Sequence, residues 1–104
     1  MNGEKMSGEL KKKKFIFPSW MKIVKAIGDS RKTLYMKELT VNARGTYATI
    51  TYVLDMLEEK GLIVRLRHDG TDREVQILLT ERGRLVWKHL LMLENELGVH
   101  IVDS

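Results

Sequence analysis

The stretch from Thr46 to Leu79 most constrains what this chain can fold into. Ile50, Val53, Leu54 and Leu57 fall at i, i+3, i+4 and i+7, the spacing of a helix with one apolar face. Thr46 stands where an N-cap belongs, and Gly61 where a helix stops. The period then changes. Leu62 to Leu66 and Val75 to Leu79 have strand composition, and Asp69-Gly70 between them is a favoured turn pair. A helix that runs directly into a hairpin must pack against it or leave its apolar face in water. The remainder of the chain has to close around that junction.

Upstream, Ser19 is positioned to cap a helix through Gly28, with Trp20, Ile23, Val24 and Ile27 on one face. Thr33 to Met36 is β-prone and short enough for a small edge strand. Lys37 to Ala43 reads as a short helix with Leu39 inward, broken by Arg44-Gly45. Downstream, Thr80 caps a last helix that runs to about Leu97 and ends at Gly98. The order predicts a mainly α, α+β architecture. It is a winged helix-turn-helix, with a three-helix core, a two-stranded β-wing and a C-terminal dimerisation helix. The expected divisions are a flexible basic arm over 1–14, the winged helix-turn-helix over 15–80 and the dimerisation helix over 81–104.

The length of 104 residues suits a single domain, and a hydrophobic fraction of 43% is enough for a compact core. The absence of cysteine removes disulfides and thiolate metal sites, and favours an intracellular, cytoplasmic protein. No apolar run approaches the roughly 18 residues of a membrane span. The charged N-terminus is not followed by the apolar core of a signal peptide. A net charge of +4 fits nucleic acid, anionic membrane and acidic protein alike. The block Lys11 to Lys14 is either a solubilising tail or a basic arm for phosphates. It has no apolar face beside it, so a membrane surface ranks last.

The inward positions of the third helix leave Thr46, Tyr47, Thr49 and Tyr52 on the opposite side. They lie toward the N-terminal end, where free N–H groups and the helix dipole favour a phosphate. Arg44 lies in the turn just ahead. Arg67, His68 and Arg73 lie on the hairpin, with Arg65 nearby. Asp55, Glu58 and Glu59 gather at the far end of the helix, read as solvated acids. Each group alone has an ordinary explanation, as a cap and core fringe or as a hairpin with surface ion pairs. Together they describe a surface with hydroxyls for base edges and cations for phosphates.

Two segments carry a family likeness. "LEEKGLI", Leu57 to Ile63, resembles the end of the recognition helix and the first wing strand of winged-helix regulators. "LLTERGR", Leu78 to Arg84, resembles their second wing strand and the start of the next helix. In order and at this spacing they resemble MarR-like bacterial and archaeal transcription regulators, over roughly Ser19 to Trp87. The resemblance implies a homodimer on duplex DNA, with the third helix in the major groove and the wing toward the minor groove or backbone. By position it assigns Thr46, Tyr47, Ala48, Thr49 and Tyr52 to the helix contact, and Arg67, His68 and Arg73 to the wing.

The last helix is apolar around most of its circumference. Trp87, Leu90, Leu91, Leu93 and Leu97 are the expected homodimer interface. The alternative is that Phe15, Ile16 and Phe17 fold back over it within one chain. His68, His89 and His100 have no metal-ligand spacing, and there is no glycine-rich phosphate loop, so neither cofactor nor catalysis is expected. The sequence thus predicts a sequence-specific double-stranded DNA-binding transcription regulator, a repressor acting as a homodimer. The alternative is a winged-helix protein-interaction module of transcription or replication machinery. A small-molecule effector stays open.

Overall fold

The computed structural model describes residues 14–30, 34–42, 45–67 and 75–102. The elements are α1 (Ser19–Asp29), β1 (Leu34–Tyr35), α2 (Met36–Asn42), α3 (Tyr47–Glu59), β2 (Ile63–Leu66), β3 (Gln76–Leu79) and α4 (Glu81–Leu97). The expected order of helices and strands is the observed one. β1 is indeed an edge strand, and it extends the hairpin into a three-stranded antiparallel sheet of order β1-β3-β2. Leu34 pairs with Ile77, and Arg65 pairs with Ile77 from the other side.

The core forms where α1, α3 and the sheet meet. Ile23 and Val24 from α1, Leu39 from α2, Ile50, Leu54 and Leu57 from α3, and Ile63 and Ile77 from the strands are all almost fully buried. The i, i+3, i+4, i+7 stripe of α3 is therefore the face that packs inward. Thr46 caps α3 by accepting from the Thr49 amide at 3.2 Å, and Thr80 caps α4 by accepting from the Gly83 amide at 3.0 Å. Gly61 and Gly98 both turn the chain out of a helix with left-handed backbone, φ 77° and 69°.

Two local expectations need correcting. Ser19 does not cap α1. Pro18 occupies the cap position with no side-chain hydrogen bond, and its carbonyl accepts from the Met21 and Lys22 amides. Nor does Gly28 end α1, which continues to Asp29. Gly28 is needed for a different reason. The Trp87 indole lies against it, and a Cβ there would collide with three atoms of the ring. Gly83 serves a similar purpose at the start of α4, where a Cβ would collide with the Leu62 carbonyl. That close approach lets Thr80 bond back to the turn, its amide donating to Leu62 at 3.0 Å and its hydroxyl to Gly61 at 2.7 Å.

The α1–α4 contact contains a buried cation that the sequence pattern did not disclose. Lys25 is 2% exposed, on the apolar side of α1. Its Nζ lies 2.7 Å from Asp29 and 3.0 Å from Glu94 on α4. Asp29 also accepts from the Trp87 indole at 2.9 Å, and Glu94 from the Ile101 amide at 2.8 Å. A buried charge is tolerated only when paired and hydrogen-bonded in this way. The network joins the end of α1, the middle of α4 and the segment beyond Gly98, whose Ile101 is fully buried.

Gly28→Ala tests the Trp87 contact by its sign. In an ordinary helix interior the change adds roughly 0.5–1 kcal/mol of stability. Here it should remove about 1–3 kcal/mol, the usual range for overpacking. Urea unfolding measures it as a lower midpoint at unchanged slope.

Candidate nucleic-acid interface

Burying one face of α3 presents the other. Tyr47 is 54% and Tyr52 72% exposed, and Thr46, Ala48 and Thr49 are exposed with them. The carboxylates of the helix lie toward its other end, and none is in the first turn. The two threonine hydroxyls are not equivalent. Thr46 holds the cap and also donates to the Thr49 oxygen at 2.9 Å. Its hydroxyl is committed to the helix end, whereas Thr49 keeps a proton to offer outward. Thr51 donates back to the Tyr47 carbonyl at 2.9 Å. Lys37 and the 75%-exposed Val41 stand one turn apart on α2, a pair for which no role was expected.

On the hairpin, Arg67 is exposed just beyond β2. Arg44, His68 and Arg73 lie outside the described residues, as do Lys11 to Lys13 and the Asp69-Gly70 turn. Arg65 does not join an outward basic cluster. Strand alternation puts it on the same face as Ile63, against α3. There Nη2 lies 2.6 Å from both Asp55 and Glu58, and Nε donates to Glu58 at 3.0 Å. The Arg65 amide also reaches Glu58, at 3.4 Å. Burial opposes the charge on this guanidinium. The hydrogen bonds and negative charge of Glu58 and Asp55 outweigh it, so the arginine is held above its ordinary pKa. Glu58 is therefore not simply solvated, as its position on the helix implied. The pairing joins residues seven and ten positions apart across a turn, beyond the reach of helical periodicity.

The expected dimer residues divide. Leu90 is 5% exposed and belongs to the core of its own chain. Trp87 is half-buried, between Gly28 and Asp29. Leu93 and Leu97 pack partly against the same core, and Leu91 is half-buried. The apolar side chains that α4 leaves in water are Leu85, 54% exposed, and Met92, 63% exposed, two turns apart on one side. His89 lies between them, exposed. Of the N-terminal apolar run only one side chain is buried. Phe17 is buried, but Phe15 and Ile16 are 50% and 94% exposed. Among the described residues no cluster of His, Cys, Asp and Glu is arranged to hold a metal ion, and no helix is long and apolar enough to cross a membrane.

No protein-family model and no curated protein matches the chain. Solved structures do. The transcriptional regulator BldR from Sulfolobus solfataricus superposes with a TM-score of 0.65 at 26% identity, over 91% of this chain and 67% of its own. A MarR-family transcriptional regulator from Silicibacter pomeroyi gives 0.61 at 26% identity, over 73% of this chain and 51% of its own. MepR, a transcription regulator of the Staphylococcus aureus multidrug efflux pump MepA, gives 0.67 at 20% identity, over 91% and 69%. The chain is a MarR-like winged helix. It spans 51% of the length of the Silicibacter pomeroyi regulator, and 65% and 59% of two further matches, the transcriptional regulator PA3341 and Bordetella bronchiseptica BpsR. In the MarR-like frame α2 and α3 are the helix-turn-helix, and β2 and β3 the wing.

The unequal threonines give a stability test. Thr46→Ala removes the cap of α3 and should cost about 1 kcal/mol. Thr49→Ala, at an exposed site, should stay within about 0.5 kcal/mol. Thermal unfolding of the two variants side by side distinguishes the hydroxyl that caps the helix from the one that only accepts from it.

Proposed function

We propose that this chain is a cytoplasmic transcription regulator that binds double-stranded DNA as a homodimer and represses by occupying its site. The N-terminal half of α3 enters the major groove, and the wing lies along the backbone. The observation that carries this reading is the α3 surface. Tyr47, Thr49 and Tyr52 are exposed on the side opposite a buried aliphatic stripe, at the end of the helix that is free of carboxylates. Hydroxyls and aromatic rings there suit base edges and sugar-phosphate oxygens. Arg67 supplies charge from the wing, and Arg44, His68 and Arg73 belong to the same proposed surface. The fold shared with transcription regulators supports it further.

Dimerisation is proposed through the exposed side of α4, with Leu85 and Met92 at its centre. Leu91 and Leu93 border that side, while Leu97 lies on the core side with Leu90. A two-fold partner would cover this apolar surface and place two α3 helices on one duplex.

One observation favours a protein-interaction module instead. Val64, Leu66 and Leu78 are 39%, 45% and 39% exposed on the outer face of the sheet, away from α3. A domain acting only through α3 has no use for them.

Binding to mixed genomic duplex fragments in a salt series decides between the two. The DNA reading expects retention that falls steeply with salt and selects a common site. Thr49→Ala should then lose roughly 1–3 kcal/mol on that site and little on random duplex. Equal loss on both would reassign Thr49 to the phosphates. Arg67→Ala should flatten the salt slope by about one unit on every sequence. The absence of DNA binding would promote the interaction module. Leu85→Glu with Met92→Glu should give a folded monomer by sedimentation, since both side chains are already in water. A folded dimer in that variant would move the interface elsewhere.

A further inference from the structure

The Arg65 cluster is engaged by none of the roles above. It is the polar connection between the proposed recognition helix and the wing, and it is built with more bonds than a surface ion pair needs. Three Arg65 groups, Nε, Nη2 and the backbone amide, converge on Glu58, and Nη2 also meets Asp55. Arg65 is itself only 14% exposed, while its two partners keep 62% and 41% of their side chains in water. Both acceptors stand one turn apart on α3, and Arg65 stands two residues before Arg67 on the strand that leads into the wing.

The geometry has a consequence for a hairpin. β2 leaves α3 through the short turn at Gly61, whose left-handed backbone sets the direction of exit but not the tilt of the strands beyond it. Aliphatic contacts at Ile63 and Leu57 hold the near end. They are non-directional, and permit sliding and rocking. A planar guanidinium seated on carboxylates is directional, because its N–H groups point along fixed lines. Arg65 lies two residues farther along the strand, where small tilts become large displacements. It also offsets one of the two carboxylate charges that Asp55 and Glu58 place on α3.

We infer that Arg65 is a positioning residue, which with Glu58 and Asp55 locks the wing to α3 at one angle so that helix and wing meet the same duplex together. This rests on the DNA-binding reading for its functional half, while the mechanical half stands on the contacts alone. Arg65 does not touch DNA in this arrangement. It acts through Arg67, which it holds against the backbone.

The test has one arm without DNA and one with it. The chain has no cysteine, so nitroxide labels go only where they are introduced. Tyr52→Cys on α3 and Leu66→Cys at the end of β2 report the helix-to-wing distance by pulsed electron resonance. Arg65→Gln should broaden that distribution at least about twofold, and Glu58→Gln should do the same. Thermal unfolding identifies any variant that fails to fold, and Asp55→Asn, at the most exposed acid, then carries the measurement. An unchanged distribution in folded variants overturns the proposal. In the DNA arm, Arg67→Ala is measured in the native background and in Arg65→Gln. The salt-slope change caused by Arg67→Ala should shrink by more than half once Arg65 is replaced. A merely stabilising Arg65 would leave it whole, and that result overturns the functional half. If the native chain binds no duplex while the label distribution still broadens, the DNA reading fails and the joint stands.

Discussion

Ile50, Val53, Leu54 and Leu57 are buried on one side of α3, and the rest of the molecule is arranged around that fact. Each such side chain contributes about 1.5–3 kcal/mol on leaving water. Four of them rival the entire net stability of a small domain. No rotation of α3 about its axis can keep that burial, so its opposite face is fixed outward with the same certainty. Tyr47, Thr49 and Tyr52 are exposed because their neighbours at helical spacing are not. The proposed reading surface is thus a by-product of core formation, held in place by the packing of the opposite face.

Polar contacts then determine how the other elements sit on that centre. Between α1 and α4 the contact is a buried lysine, paired with Asp29 and Glu94. Replacing Lys25 would leave Glu94, whose side chain is only 12% exposed, without its cation, typically a loss of about 3–5 kcal/mol for a buried pair. Between α3 and the wing it is Arg65, paired with Asp55 and Glu58. The two clusters differ in setting. Lys25 is enclosed, and it holds α1, α4 and the segment at Ile101 in one arrangement. Arg65 bridges two elements at the surface, where water screens the charge and direction matters more than energy. Both fix orientations that aliphatic packing alone leaves loose.

Besides Phe15, Ile16 and Val41, two elements carry exposed aliphatic pairs or clusters among the described residues. Leu85 and Met92 are exposed on α4, and Val64, Leu66 and Leu78 on the outer face of the sheet. The side of α4 that was expected to meet a partner is largely consumed within the chain, by Leu90 in the core and by Trp87 over Gly28. A helix that is apolar nearly all round cannot be assigned from composition alone to a core side and a partner side. Which stripe faces inward depends on where α1 arrives.

Much of this was legible from residue order. Period 3.6 in α3, the switch to strands after Gly61, and the caps at Thr46 and Thr80 are local, short-range signals, and local sterics and hydrogen bonding determine them. The exposed face of α3 followed directly, because inward and outward positions of one helix are complementary. Contacts between elements did not follow. Gly28 reads as a helix stop until Trp87 is placed on it from 59 residues away. Arg65 reads as one more wing cation until strand alternation turns it onto α3, and the burial of Lys25 emerges only when Glu94 closes over it. The sequence by itself determined which elements form and which face of each is apolar, since both depend on neighbours within a few residues. Only the tertiary structure decided which charges are spent inside the protein and which remain for a partner, because that depends on packing between segments distant in the chain.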